Sequence, residues 1–136
     1  MSFAKEIRAY TDKTQANLRI VAQESIQEVL DIAQTPKAKG GRMPVVTSFL
    51  RNSLASGLNG SFGEPASDSY LLTIAGLEIG DIAQFGWTAE YALRIEYGFN
   101  GQDSLGRRYN QQGAYFVGTA AAQWPQIVDR IAGELG

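Results

Sequence analysis

The feature of the sequence that most constrains the fold is a long apolar stripe near the N-terminus. Apolar or small residues recur there at a mean spacing of about 3.6, the period of an α-helix. They are Phe3, Ile7, Tyr10, Thr14, Leu18, Val21, Ser25, Val29 and Ile32. Because the phase does not slip, the pattern predicts one helix within residues 1–34 rather than two. Pro36 disfavours helical geometry at Thr35 and is expected to end the helix there.

A helix of this length is large for the chain that carries it. About 30 residues of helix extend about 45 Å. The chain has 136 residues, and one domain of that size would be only about 37 Å across. Either one end of the helix projects, or the helix kinks, or it lies against neighbouring copies. The period of about 3.6 rather than 3.5 does not favour a plain coiled coil. We expect an oligomer in which the helix contributes to subunit contacts.

Short strands are predicted for the middle of the chain, residues 45–98. Loose alternation of apolar residues predicts a first strand within 49–58. Apolar runs predict a second strand over 70–77 and a third over 79–85. A short helix, with Thr88 as a candidate N-cap, then ends at Gly98, a natural C-terminal cap.

The C-terminal part of the chain divides into a loop and a helix. Residues 99–113 are polar and are predicted to form a loop, and residues 114–136 carry a helical apolar face. Pro125 either kinks that helix or marks its true first turn, and Trp124 is expected in the core. The whole chain therefore predicts a single α+β domain. It consists of a long N-terminal helix, a small antiparallel sheet of about three or four strands, a short helix and a C-terminal helix.

The residue types that the sequence lacks exclude several kinds of catalytic and metal-binding site. The chain has no cysteine and no histidine, so thiol nucleophiles, thiolate or imidazole ligands and histidine-based catalysis are excluded. Phosphate-binding glycine motifs, the nucleophile elbow and calcium-loop patterns are missing. Glu90 and Glu96 could be offered as an acid/base pair, but their spacing would not turn them to one site on a helix. We expect no enzyme activity, no cofactor and no metal site.

Charge is unevenly distributed along the chain, although the net charge is only −2. That net charge argues against a general nucleic-acid binder. Residues 35–51 carry four basic side chains and no acid: Lys37, Lys39, Arg42 and Arg51. Residues 52–93 carry five acidic side chains and no base: Glu64, Asp68, Glu78, Asp81 and Glu90. This separation is either chance on solvated loops or a pair of complementary faces that steer copies together.

The apolar residues do not indicate a membrane protein. No run of 18 of them exists that could span a membrane. The polar N-terminus does not resemble a secretory signal. We therefore expect a protein that stays inside the cell or inside a particle assembled there.

Three segments, read in order, resemble one family of phage proteins. Thr35-Pro36, a short basic loop and then Thr47-Ser48-Phe49-Leu50-Arg51-Asn52-Ser53 resemble the "TP…TG-x-LR-x-S" signature of tailed-phage (siphophage-type) head–tail joining proteins, the tail-completion or neck proteins. Residues 91–98 are similar to their "YA-x-x-x-E-[YF]-G" element. Tyr115-Phe116-Val117, followed by Ala120-Ala121, is similar to their stretch before the last helix.

One residue departs from the family signature. The glycine that usually follows the threonine is Ser48 in this chain. If that glycine has a positive φ in relatives, either Ser48 is strained or the turn differs in this chain.

The resemblance implies an α+β fold without catalysis and a role as a structural ring between capsid and tail. A hexameric ring is expected, assembled in the bacterial cytoplasm and located in the virion. Its neighbours would be the connector or head-completion protein and the tail-terminator or tail-tube protein. DNA would pass through the lumen without specific binding. Candidate interface residues are Arg51, Arg94, Glu96, Arg107 and Arg108, each of which could instead form an ion pair within its own subunit.

Other functions remain open at this point. The chain could be a phage assembly chaperone or a small binding or regulatory module. A head-completion or tail-terminator protein is a further alternative. An accessory enzyme would have to use a cluster of carboxylates.

Overall fold

A computed structural model describes residues 2–44, 48–102 and 105–135. Its first element is the predicted long helix, α1, which spans Phe3–Ala33. The Ser2 side chain accepts a hydrogen bond of 3.3 Å from the backbone N–H of Lys5 and so caps the start. Gln34 is the C-terminal cap, directly before the Thr35-Pro36 pair. The prediction of one uninterrupted helix is confirmed.

The remaining elements are short. They are α2 (Phe49–Asn52), β1 (Leu54–Leu58), β2 (Ser61–Phe62), α3 (Ser69–Ala75), β3 (Ala83–Trp87), α4 (Ala92–Tyr97), β4 (Gly98–Gln102), β5 (Arg108–Gln112), α5 (Phe116–Ala121) and α6 (Trp124–Leu135). Strands β2, β1 and β3 form one antiparallel sheet in that order, and β4 and β5 form a separate antiparallel hairpin. The predicted α+β fold class is therefore correct.

Two groups of buried side chains form the core. The first joins α1 to α3 and β1 through Leu30, Leu54, Tyr70 and Ile74. The second joins the segment after α1 to α5 through Met43, Leu50, Ala89 and Phe116. Trp87 contacts both groups and meets the ring of Phe116 edge-on, with ring centroids 5.1 Å apart. This single indole therefore couples the two halves of the core.

The second predicted strand, over residues 70–77, is wrong, because α3 occupies most of that segment. Its buried residues are Tyr70, Ile74 and Leu77, which are four and then three residues apart. That spacing places them on one face of a helix, whereas a strand would alternate. Leu and Ile have side chains that suit either structure, so the short apolar run was ambiguous.

The first and third predicted strands are only partly correct. The segment 49–58 starts as the helical turn α2 and becomes strand β1 after Ser53. The third strand begins at Ala83, because residues 78–81 form a turn closed by the Asp81 side chain. The candidate cap Thr88 bonds instead to the carbonyl of Ser53, through both its N–H and its hydroxyl at 2.9 Å.

The predicted loop over residues 99–113 is wrong. Strands β4 and β5 pair there, with Gly98 opposite Gln112 and Gln102 opposite Arg108. The strands are rich in Gly, Asn and Gln, which disfavour β-structure, so composition alone pointed to a loop. The end of the preceding helix at Gly98 is confirmed: Gly98 has φ +85°, and an added Cβ would lie 2.5 Å from the carbonyl oxygen of Gln111.

The C-terminal helix is divided into α5 and α6. Pro125 is the second residue of α6. Of the two predicted alternatives, it therefore marks the first turn of a helix and does not kink one. Ile127 and Ile131 are buried, whereas Trp124 is 41% exposed and does not belong to the core, contrary to expectation. Across the described ranges, none of the helices combines the length and apolar character needed to cross a membrane.

Candidate assembly interface

The carboxylate of Glu96 is a structural element of the subunit. Glu96 lies on α4 and is only 6% exposed. Its two oxygens accept hydrogen bonds from the backbone N–H groups of Val117 (3.1 Å) and Gly118 (2.7 Å). These donors lie in the first turn of α5, where backbone N–H groups lack helical partners. Glu96 therefore joins α4 to α5 within one chain, rather than reaching a neighbouring subunit.

Arg51 is also used within the chain. Its Nε donates a hydrogen bond of 2.8 Å to the backbone carbonyl of Gln34, and its own carbonyl accepts one of 2.9 Å from Gln34 Nε2. This reciprocal pair ties α2 to the end of α1. Arg51 and Glu96 thus fit the alternative of contacts within one subunit, although neither contact is an ion pair.

Gln34 is the residue that sequence inspection missed. It is 2% exposed. Besides its contacts with Arg51, its Nε2 donates to the carbonyl of Ser67 (2.9 Å), and its Oε1 accepts from the indole Nε1 of Trp87 (2.8 Å). One amide thus connects α1, α2, the segment before α3 and β3. The only sequence signal for this buried role is that Gln34 is a polar residue directly after an apolar stripe.

The other three candidate interface residues are exposed. Arg94 lies on α4, and Arg107 and Arg108 lie at the start of the second hairpin strand. Nearby Leu105 is 76% exposed. Among the five candidates, Arg94, Arg107 and Arg108 are thus exposed, Arg51 is half-buried and Glu96 is buried.

The basic residues after α1 lie on a tightly held loop, residues 37–42, which we call the basic loop. Its ends are closed by backbone hydrogen bonds from Lys37 to Met43 (3.0 Å) and from Met43 to Thr35 (3.2 Å). Met43 is fully buried and anchors the loop to the core. A Cβ on Gly41 would lie 2.0 Å from the Thr35 carbonyl oxygen, so this close return of the chain requires glycine.

The three charges of the basic loop all face solvent. Lys37, Lys39 and Arg42 are exposed, and the loop contains no acidic residue. Because the backbone of the loop is anchored at both ends, these charges are presented in a defined arrangement. The loop is therefore a suitable positive contact surface.

An acidic turn, residues 78–81, lies at the other end of the globule. Asp81 accepts hydrogen bonds from the Asn59 side chain (3.0 Å) and from the backbone N–H of Glu78 (2.9 Å), and both lower the pKa of Asp81. Glu78 pairs with Arg19 of α1 at 3.3 Å. Arg19 precedes Gln34 by fifteen residues, so the acidic turn and the basic loop are separated by about 22 Å along α1.

The first half of α1 stands away from the globule. Residues 2–16 are all exposed, which corresponds to about 20 Å of helix. The exposed fraction is 76% for Phe3, 49% for Ile7, 75% for Tyr10 and 57% for Leu18. Further along the same stripe, Val21 is half-buried and Ser25 is fully buried. The apolar stripe is thus covered in its second half and bare in its first.

A groove of about 660 Å³ lies between α3 and the β1–β2 hairpin. Its lining is mostly glycine, serine and leucine, with Glu64 and Asp68 as the charged members. Both carboxylates are exposed. Within residues 2–44, 48–102 and 105–135, no three acidic side chains are placed to hold a metal ion together.

Comparison with known proteins found no relative. No protein-family model, curated protein or solved structure matches the chain.

Proposed function

We propose that the chain is a non-catalytic structural protein of the neck or tail of a tailed phage, a tail-completion protein whose copies form a hexameric ring between capsid and tail. The observation that carries this proposal is the placement of charge. The basic loop and the acidic turn are opposite in sign and about 22 Å apart along α1. Lys37, Lys39, Arg42 and Glu78 are exposed, and Asp81 is half-buried.

Opposite charges at separate places favour a head-to-tail contact. If the basic loop of one subunit faces the acidic turn of the next, each subunit uses two different surfaces. Such heterologous contacts generate a ring when the rotation between subunits closes. An isologous dimer would also match opposite charges if its two-fold axis lay between the two surfaces, with both surfaces in one contact. The charge pattern therefore supports contacts between copies, and the family resemblance favours the ring among them.

Several residues of the motifs stabilise the fold of this chain, which supports the family resemblance. Glu96 holds the first turn of α5, and Gly98 provides the positive φ from which the β4–β5 hairpin starts. Ser48, at the position where the signature has glycine, has φ +63°, a conformation that glycine adopts readily. Thr47 of that signature lies outside the described residues. The motifs are therefore consistent with a shared fold.

In this proposal, the ring contacts the connector or head-completion protein on one side and the tail-terminator or tail-tube protein on the other. We assign the β4–β5 hairpin, whose Arg107 and Arg108 side chains are exposed, to the contact with one of these neighbours. DNA passes through the lumen without specific binding, which agrees with the net charge of −2. The virion would be assembled in the host cytoplasm.

A second candidate is an assembly chaperone or small regulatory module. The bare apolar stripe of α1 favours it, because an exposed apolar surface marks a binding site for another protein. A chaperone would bind its partner during assembly and be missing from the finished particle. A virion ring would remain in the particle.

A complementation experiment tests the proposal. The gene is deleted from the phage genome that carries it, and the chain is supplied from a plasmid. We expect unjoined heads and tails without the plasmid, and normal particles with it. The variant K37E/K39E/R42E should fold but fail to restore joining, whereas K5E/R8E, which reverses exposed basic charges of α1, should restore it. Normal infectious yield from the deletion, or full rescue by K37E/K39E/R42E, would overturn the proposal.

A further inference from the structure

The bare half of the α1 stripe is an unpartnered surface with a defined charge pattern. Phe3, Ile7, Tyr10 and Leu18 are exposed along it. Thr14 lies between them, and its hydroxyl donates a hydrogen bond of 2.9 Å to the carbonyl of Tyr10. Thr14 can therefore be buried without leaving its hydroxyl proton unpaired. The whole stripe can be covered by an apolar partner.

We infer that, in the free protein, this half of α1 pairs antiparallel with the same half of α1 in a second copy of the chain. This inference goes beyond the proposed ring and does not depend on it. The contact is isologous, so it uses a surface and a symmetry different from those of the head-to-tail ring contact.

The charges beside the stripe select this partner. At 100° per residue, Glu6 and Lys13 lie on one flank of the stripe. The opposite flank carries Ala4 and Thr11 and no charge. A two-fold axis perpendicular to the helices brings each flank against the same flank of the partner. Glu6 of each copy then faces Lys13 of the other, which gives two ion pairs of the kind that fix helix orientation.

Parallel pairing lacks this match. A two-fold axis along the helices would place the flank with Glu6 and Lys13 against the uncharged flank of the partner. No ion pair would form beside the stripe. Of the other charges of the segment, Lys5 and Asp12 lie opposite the stripe, and Arg8 lies about 120° from its centre, behind the flank of Ala4 and Thr11. All three are exposed and face solvent in either arrangement.

Two independent features place the centre of the antiparallel pairing at nearly the same point of α1. The midpoint between Glu6 and Lys13 falls between Ala9 and Tyr10. The midpoint of the bare stripe, from Phe3 to Leu18, falls between Tyr10 and Thr11. The charge pairs and the apolar contacts are thus centred within one residue of each other. Antiparallel pairing about this point covers the stripe over its full bare length.

Charge reversal tests the pairing directly, with the full-length chain studied by sedimentation equilibrium over a concentration series. We expect the wild type to associate to a dimer at high concentration. E6K or K13E alone should weaken the dimer about tenfold, because like charges then face each other at both pairs. An equimolar mixture of E6K and K13E should recover it, since the unlike chains pair Lys with Glu at both places. The double variant E6K/K13E should also recover it.

The controls separate this interface from other effects. K5E changes an exposed basic charge on the side of α1 opposite the stripe and should leave the dimer unchanged. E6K also removes an acid from the first helical turn, which weakens the helix slightly. That loss persists in E6K/K13E, so recovery of the dimer there isolates the interface. I7D should abolish the dimer while the circular dichroism of the monomer remains.

The chain has no cysteine, which permits a register test by oxidation. E6C and K13C, when mixed, should form a disulfide-linked pair, whereas neither variant alone should cross-link efficiently. Three results would overturn the pairing. The wild type could remain monomeric at every concentration. The dimer could fail to return in the mixture of E6K and K13E or in the double variant E6K/K13E, or E6C could cross-link efficiently with itself. The complementation test with K37E/K39E/R42E is independent of this one, because that variant should keep the α1 dimer.

Discussion

The backbone N–H of Gly118 donates a hydrogen bond of 2.7 Å to the buried carboxylate of Glu96. The two residues are 22 positions apart, and the contact fixes the first turn of α5 on the end of α4. Since α5 leads into α6, and both helices contact α1, this one carboxylate supports much of the C-terminal part of the fold. A residue that looked like an interface acid from sequence therefore has an internal structural role.

Removal of the Glu96 carboxylate should destabilise the subunit. We expect Glu96→Ala to lower the free energy of unfolding by about 2 kcal/mol, because the N–H groups of Val117 and Gly118 lose their acceptor in a part-buried environment. Glu96→Gln keeps one acceptor oxygen and should cost less. Urea denaturation followed by circular dichroism measures both. Glu90→Ala, at an exposed position six residues earlier, is the matched control, and an equal loss there would contradict the role assigned to Glu96.

Glycine at position 48 should stabilise the protein. Ser48 has φ +63° and ψ 7°, a left-handed conformation that costs a side-chain-bearing residue about 1 kcal/mol. We expect Ser48→Gly to raise the free energy of unfolding by a similar amount, measured by urea denaturation. Ser48→Ala keeps the Cβ and should give no gain. A destabilised glycine variant would show that the serine is not strained.

Loss of the Gln34 side chain should be among the most damaging single truncations in the chain. In Gln34→Ala, the indole N–H of Trp87 and the carbonyls of Arg51 and Ser67 lose partners in a part-buried environment. We expect a loss of about 3 kcal/mol and a shift in tryptophan fluorescence. Gln15→Ala, in the exposed half of α1, is the control. Unchanged fluorescence together with wild-type stability would refute this assignment.

The stability of the subunit should fall at high pH through Tyr70. Burial and the hydrogen bond that its hydroxyl donates to Asp31 raise the pKa of Tyr70 above its ordinary value of 10.0. The neutral phenol is thus favoured in the folded state. Its contribution is complete below pH 10 and declines as pH rises from there toward the folded-state pKa.

Tyr70→Phe tests this pH dependence. The variant loses the bond to Asp31 and should be less stable near pH 7, but its stability should fall less steeply above pH 10 than that of the wild type. Denaturation curves at several pH values measure the slopes. Tyr10→Phe, at a 75% exposed position, should keep the wild-type slope. Identical slopes in Tyr70→Phe and wild type would contradict the prediction.

The sequence predicted the elements whose signals are local and strong. The period of the α1 stripe identified that helix, and Pro36 and Gly98 correctly marked two helix ends. The segment 69–75 was misjudged because seven residues with Leu, Ile and Thr suit either a strand or a helix, and burial by other elements decided the outcome. The β4–β5 hairpin was missed because its pairing outweighs the weak strand preference of Gly, Asn and Gln.

The candidate site was less accessible to sequence reasoning. Charge runs located the basic loop and the acidic turn along the chain, but only the fold places the loop after the end of α1 and the turn beside Arg19 at its middle. Arg51 and Glu96 were named for their charge, which does not reveal whether a partner lies within the subunit. Gln34 carries no motif, and its four contacts come from segments distant in sequence.

The most direct test of the proposed function is the copy number of the chain in purified phage particles, measured by quantitative mass spectrometry against a tail protein of known stoichiometry. The account predicts that the chain is retained in the finished particle at the copy number of one neck ring, a hexamer. Particles that are complete and infectious but lack the chain would contradict it and would favour the assembly chaperone.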